Sequence, residues 1–441
     1  MRDSIVYGHL WGTPETRELF SDEGRTRIWL DIIKALAAEQ AALNLIPEEA
    51  ARQIATLELP DLHAVAEQTR ATGHSTLGLI RVLREQLGPE GGEWVYFGAT
   101  VQDVSDTWFG LVMQRMLAIA RRDLTAIEAS LNRLADAHQD TVMLGRTHGQ
   151  PGLPITFGFK AAGWADEIGR HLERVDEAEP RLSVGQLAGA VGTLSAYGEQ
   201  GPELRRRVLT RLGLRVPEAS WLAARDRIAE FTALLALITG TLARIGNEVY
   251  NLQRPEIGEL SEAPSEGVVG SITMPQKRNP ERSEHLVTLA RVVRAGAGLA
   301  LEGVVGEHER DGAAWKTEWA FLPEACSAAA VALALGRELV EGLRVDADRM
   351  RANLDAQRGY VLAEPVMLAL ARRVGKQRAH ELVHRAALAG QESGASLADA
   401  LAADADIARE LPEAERAPRV EDALGAAREL VDAVLARAEP R

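Results

Sequence analysis

Three features of this chain predict an all-α protein. Alanine and leucine dominate the composition and aromatic residues make up only 5% of it. Long stretches of helix formers are separated by short Gly- and Pro-rich breaks. No run alternates apolar and polar residues over enough positions to be read as a strand. With 441 residues, the chain is long enough for two or three domains and a large core. The breaks suggest an N-terminal helical domain over 1–108, a central long-helix domain over 109–345 and a C-terminal helical domain over 346–441.

The first hundred residues carry shorter helices. Ser21 or Asp22 can cap a helix that runs to about Leu45, and Pro47 starts the next. Asp61 can cap another that reaches Thr72, Gly73-His74 interrupts, and helix resumes to Leu87. One long helix then runs from Asp106 to about Gln139, near 50 Å at about 1.5 Å per residue. Such a helix is expected to pack its apolar stripe against neighbours in a bundle. The run Gly145-Arg146-Thr147-His148-Gly149-Gln150-Pro151 reads as a loop. A second long helix is expected from Ile155 to Ala178, and a third from Asp226 to Leu252. A fourth ends near Val304, a fifth runs from Pro323 to Leu343, and the tail from Asp346 is helical with short breaks. The Gly- and Ala-rich connector Ser183–Gly201 lacks the GxGxxG spacing and the preceding strand of a nucleotide loop.

Composition also excludes some functions. The net charge of −14 argues against general nucleic-acid binding, whose footprint would be basic. It says little about a small anionic substrate, because an anion pocket can be local. The single Cys326 lies in the apolar run Ala325–Leu335, so it reads as a small buried hydrophobe and no disulfide framework is possible. No signal peptide is seen and no 18-residue apolar run is found, so a soluble, cytoplasmic chain with no membrane partner is expected. His380-Glu381-Leu382-Val383-His384 matches HExxH, the spacing of a zinc-binding helix. No clear third ligand follows it, and the two histidines are expected on a solvated or packed helix face. No cofactor and no metal are expected.

The strongest chemistry lies in Gly267-Val268-Val269-Gly270-Ser271-Ile272-Thr273-Met274-Pro275-Gln276-Lys277-Arg278-Asn279-Pro280-Glu281. The glycines and Pro275 break any helix, and Asn279 followed by Pro280 reads as an N-cap and a helix start. A hydroxyl, an amine and an amide at 271, 277 and 279 thus lie beside a helix N-terminus, where anions are stabilised. That grouping can hold a carboxylate and take a proton from the carbon next to it. The plain alternative is a Gly-rich connector with an ordinary cap.

This stretch resembles the GSSxMPxKxN signature loop of the fumarase/aspartase superfamily, with Ile272 in place of the second serine. Other segments agree. Tyr96-Phe97-Gly98-Ala99-Thr100-Val101-Gln102-Asp103-Val104-Ser105-Asp106-Thr107 resembles the HxGATSQDxxDT region of the cycloisomerase and adenylosuccinate lyase branches, with Tyr96 for His and Val101 for Ser. Thr147-His148-Gly149-Gln150 resembles the THxQ loop. Ser183–Gly201 is similar to a QLAGAAGT-like segment. Pro217–Arg227 resembles PWHTQRD, with Leu222 for the His. Glu307–Trp319 resembles EHERxxGxWxxEW.

The resemblance covers roughly residues 15 to 400 and implies a homotetramer with a central twenty-helix bundle. It implies a lyase that releases fumarate from a succinyl adduct by anti β-elimination of a C–N or C–O bond. A lactonising 3-carboxy-cis,cis-muconate cycloisomerase is the alternative, and a non-catalytic scaffold is the alternative of another class. Ser271 takes the role of base, His148 assists the leaving group, and Lys277 and Asn279 stabilise the intermediate. Thr100, Gln102, Thr147, Gln150, Gln186, Arg225, Met274 and Arg310 match substrate-contacting positions; helix capping is the alternative reading for Thr100 and Gln102. Trp315 and Lys316 fall where adenylosuccinate lyase holds its nucleotide phosphate, which disfavours a purine nucleotide. The substrate is expected to be a small polycarboxylate.

Overall fold

The computed structural model describes residues 1, 3–264 and 272–437. It is built of eighteen α-helices, with only four short strands among the described residues. The expected long helices are present. The first runs from Val101 to Ala137, at about 1.5 Å per residue some 55 Å. Phe157–Leu182, Asp226–Leu252 and Glu281–Glu302 follow. The fifth differs from expectation. It spans Gly312–Glu341 and carries Pro323 in its interior. One proline removes one helical hydrogen bond, and a long, largely buried apolar helix tolerates that loss.

Two of these helices also correct the reading of the apolar runs. Asp226–Leu252 and Gly312–Glu341 are each long and apolar enough to cross a membrane, but 67% and 72% of their most apolar windows are buried inside the protein. They are core helices whose apolar surface faces other helices.

Contacts group the chain into two units. The first gathers Met1–Asp123, His171–Ala243 and His285–Leu335. Its small helices are set by local caps. The Ser21 hydroxyl accepts the Gly24 N–H at 3.0 Å at the start of Asp22–Ala42. The Asp61 carboxylate accepts the His63 N–H at 2.9 Å at the start of Leu62–Thr72. Gly73 then closes that helix at φ 66°. The core of this unit centres on indoles. Trp108 packs edge-on to Phe20, Trp29 and Trp319, and Trp315 packs on Trp319 at 5.3 Å. Cys326 is fully buried, as expected.

The second unit gathers Leu124–Arg170, Arg244–Glu284 and Gly336–Arg441. The whole of the 346–441 segment lies in it. It contains a feature the sequence did not predict, an antiparallel hairpin of Val142–Thr147 with Gln150–Thr156. Val142, Met143 and Leu144 are buried in succession and Pro151 and Pro154 interrupt the partner strand, so no alternating pattern shows. Prolines are tolerated because both strands of a two-stranded piece are edges. In the C-terminal segment, Leu382 and Val383 of the Lys376–Ser393 helix pack with Val366, Leu370, Leu401 and Ile407. His380 and His384 face solvent, with stacked rings 5.9 Å apart.

Candidate active site

In the first unit the matched residues converge on the start of the Val101–Ala137 helix. Asp103, in the first turn, folds back over the helix end. Its Oδ2 accepts the Thr100 N–H at 2.9 Å, and its Oδ1 accepts the Ala188 N–H at 2.7 Å. The Gly189 N–H reaches both oxygens, at 3.3 and 3.2 Å. Asp103 therefore ties the helix start to the Gly-rich connector. Thr100 is not the side-chain cap. Its Oγ1 accepts a hydrogen bond from Arg310 Nη1 at 2.8 Å. The Arg310 guanidinium stands 5.9 Å from the Trp315 ring and is only part-buried.

Behind this pair lies a buried ion cluster. Arg225 Nε and Nη2 donate to Glu318 at 2.7 and 2.5 Å, and Nη1 donates to Asp106 Oδ2 at 2.9 Å. The three side chains are 3% exposed or less. Nη1 also donates to the Trp221 carbonyl at 3.2 Å, and Gln102 Nε2 donates to Asp106 at 3.2 Å and to the Leu222 carbonyl at 3.4 Å. One guanidinium thus serves two carboxylates. Burial drives the Asp106 and Glu318 carboxyls above their usual range, against the pull of Arg225. Burial also pushes Asp103 up to about 6, against the backbone N–H groups of Thr100, Ala188 and Gly189.

Gln186 closes the cluster. Thr107 Oγ1 donates to the Gln186 carbonyl at 2.5 Å and accepts the Gln186 N–H at 2.9 Å. The Gln186 amide meets Ser220 Oγ at 3.4 Å and the Trp221 N–H at 3.3 Å. Gln102, Gln186 and Arg225 are therefore enclosed by protein partners, whereas Thr100 and Arg310 retain access. Tyr96, which stands where the resembled region has His, supplies a polar group there. Its burial, reinforced by the Asp103 charge, holds the phenol proton well above its usual range, so the hydroxyl stays neutral. Tyr96 has φ 67°, and the loop around it is clamped. Gln40 Nε2 and Tyr197 Oη both donate to the Phe97 carbonyl, at 2.7 and 3.3 Å. A Cβ on Gly98 would come within 2.4 Å of the Tyr197 ring.

In the second unit, His148 and Gly149 form the two-residue hairpin turn, with φ 53° and 74°. Two positive φ angles in succession give the turn whose twist matches the flanking strands. Thr147, His148 and Gln150 are all exposed at its tip. The base is fixed, because Arg146 donates two hydrogen bonds to the buried Glu259 at 2.8 and 2.6 Å. Asn353 Nδ2 holds the same carboxylate at 2.8 Å. The hairpin therefore presents His148 on a braced arm.

Ser271 lies outside the described residues. Met274 and Lys277 are exposed and Asn279 is half-buried. Two expectations here need correction. Asn279 does not cap the following helix; its Nδ2 donates to Glu281 Oε1 at 3.1 Å. The helix N-terminus is also not open to an anion, because Glu262 already fills it. Its carboxylate accepts the Arg282 and Ser283 N–H groups at 3.3 and 2.8 Å. Nothing local in the sequence signals Glu262, twenty residues upstream. Trp315, which the sequence places where adenylosuccinate lyase holds its nucleotide phosphate, is packed inward. It is 7% exposed, and its Nε1 donates to Ser105 Oγ at 3.3 Å.

Among the described residues, four of the six non-glycine residues with positive φ, Tyr96, His148, Leu194 and His308, fall in the matched segments. Such backbone strain persists where the surroundings over-determine it, and it clusters at functional sites. Sequence reading passed over Asp103, Asp106 and Glu318, although all three stand inside the matched motifs.

Residues 11–295 match the family described as Lyase, and residues 359–434 match the one described as adenylosuccinate lyase C-terminus. The chain is 42% identical to N-acetyl-S-(2-succino)cysteine lyase of Dickeya dadantii, over 88% of this chain and 86% of that protein. It is 40% identical to adenylosuccinate lyase of Methanothermobacter thermautotrophicus, over 96% of each. The crystal structure of 3-carboxy-cis,cis-muconate lactonizing enzyme from Pseudomonas putida superposes with a TM-score of 0.90 at 32% identity, covering 99% of both chains.

Proposed function

Because the chain belongs to the fumarase/aspartase superfamily of lyases, we propose that it cleaves a succinyl adduct by anti β-elimination and releases fumarate. The observation that carries this reading is the Arg310–Thr100 pair, a part-exposed guanidinium and hydroxyl at the mouth of a buried, braced cluster. In a chain of net charge −14 it is a local seat for a carboxylate.

In this reading Ser271 takes the proton from the carbon next to a carboxylate, and the bond to the heteroatom on the neighbouring carbon breaks. The aci-carboxylate formed first carries two negative charges, and preorganised donors aimed at it lower the barrier. Lys277 and Asn279 are the donors matched to that task. His148, on its exposed turn, protonates the departing heteroatom. Arg225, Gln102 and Gln186 hold the Trp221-Leu222 segment and the helix start in place instead of touching substrate. The Dickeya dadantii relative is named for a thioether, so a C–S bond joins C–N and C–O as the bond cleaved. No metal or organic cofactor enters this chemistry. We further propose a cytoplasmic homotetramer whose sites draw on more than one subunit, with neither nucleic acid nor membrane as partner.

The lactonising reaction is the second reading, favoured by the likeness to the Pseudomonas putida enzyme. It uses the same proton transfer beside a carboxylate. The test is a screen of S-(2-succino) thioethers, succinyl amines and 3-carboxymuconate, followed by near-ultraviolet absorbance. Equimolar fumarate and thiol or amine is the expected result. Lactone formation without fumarate selects the second reading, and turnover of none of them refutes both. With the best substrate, Ser271→Ala should lower kcat by about a hundred- to ten-thousandfold with binding retained. Turnover within tenfold of wild type would remove Ser271 as base.

A further inference from the structure

The Leu62–Thr72 helix has an apolar face at the spacing of a core-facing helix, Leu62, Val65, Ala66 and Thr69, yet none of its residues is fully buried. That face lines a cavity of about 370 Å³ instead of closing on the core. Across the cavity stand Trp29 and Trp319, rings 5.8 Å apart and nearly perpendicular. Their indole N–H groups have no hydrogen-bond partner among the described residues. The volume falls in the range of small-molecule sites, which combine apolar walls with a few polar groups.

The charge at its rim is positive. Arg25 and Arg70 line the cavity with one acid, Asp22. Asp22 pairs with Arg25 at 2.8 Å, while the Arg25 guanidinium also lies 5.7 Å from the Trp29 ring. Arg70 is exposed and has no acidic partner among the described residues. One uncompensated guanidinium therefore stands over an aromatic and aliphatic interior.

We propose that this cavity is a second binding site, separate from the residues assigned to the reaction, for a small carboxylate bearing a flat apolar group. The ring fills the space between the Leu62–Thr72 helix and the two indoles, and the carboxylate pairs with Arg70. This inference does not depend on the reaction proposed above. It is tested with the full-length protein and benzoate as probe, by calorimetry and tryptophan fluorescence, with neutral benzamide as control. Benzoate should bind saturably at one site per chain and more tightly than benzamide. Arg70→Ala, a change on the exposed surface, should weaken benzoate by about fivefold, the size of one exposed ion pair, and leave benzamide unchanged. Saturating fumarate should leave benzoate binding intact. Absence of saturable binding, displacement by fumarate, or equal affinity in Arg70→Ala would each overturn the proposal.

Discussion

Asp103 shows how a single buried residue ties stability to pH. Its folded pKa of about 6 lies above the ordinary aspartate value of 3.8. The folded state therefore favours the protonated form. The stability this group contributes is full below pH 3.8 and is lost as pH rises through about 6. The gap corresponds to about 3 kcal/mol. Calorimetric scans of wild type and Asp103→Asn between pH 4 and 7 should show this component in the wild type alone, and parallel curves would refute the assignment. Arg225 makes the complementary case. Arg225→Met leaves Asp106 and Glu318 buried without a counter-charge, and should lower unfolding free energy by about 3–5 kcal/mol. A loss below 1 kcal/mol in denaturant titration would mean that the ion cluster does not brace this part of the fold.

At the scale of elements, the hairpin carries the clearest prediction. His148 occupies the left-handed region, which a residue with a Cβ adopts at a penalty of roughly 1 kcal/mol, and its side chain is exposed, so little burial is at stake. His148→Gly should therefore raise the unfolding free energy by up to about 1 kcal/mol while lowering turnover. A variant that loses stability, or keeps full turnover, would show that the strained turn is not held for chemistry. The Glu281–Glu302 helix teaches a different lesson. Its N-terminus looked open to a substrate anion, but Glu262 supplies an internal anion instead. Lys277 and Asn279 must then act through their own side chains.

For the whole molecule, assembly is the question. Thr100 and Arg310 belong to one contact unit, and His148, Lys277 and Asn279 to the other. If a site draws on several subunits, mixing His148→Ala with Ser271→Ala should restore activity after subunit exchange. Random mixing in a closed oligomer leaves on the order of a quarter of such sites whole. Exchange verified by mass spectrometry, with activity still at the level of either parent, would rule out a shared site.

The sequence by itself determined the helical class, the Asp226–Leu252 helix to the residue, the caps at Ser21 and Asp61, the burial of Cys326 and the superfamily. These follow from local periodicity, capping chemistry and motifs contiguous in the chain. Only the tertiary structure decided that 142–156 is a hairpin, since its strands are stabilised by each other and by packing, with no alternating pattern of their own. It alone revealed that the Asp103 carboxylate ties the start of the long helix to the backbone of Ala188 and Gly189, and that Trp315 is core. It also joined Arg225 to Asp106 and Glu318, residues 119 and 93 positions away. Burial and long-range pairing arise when distant segments meet, and no local pattern encodes which segments those are.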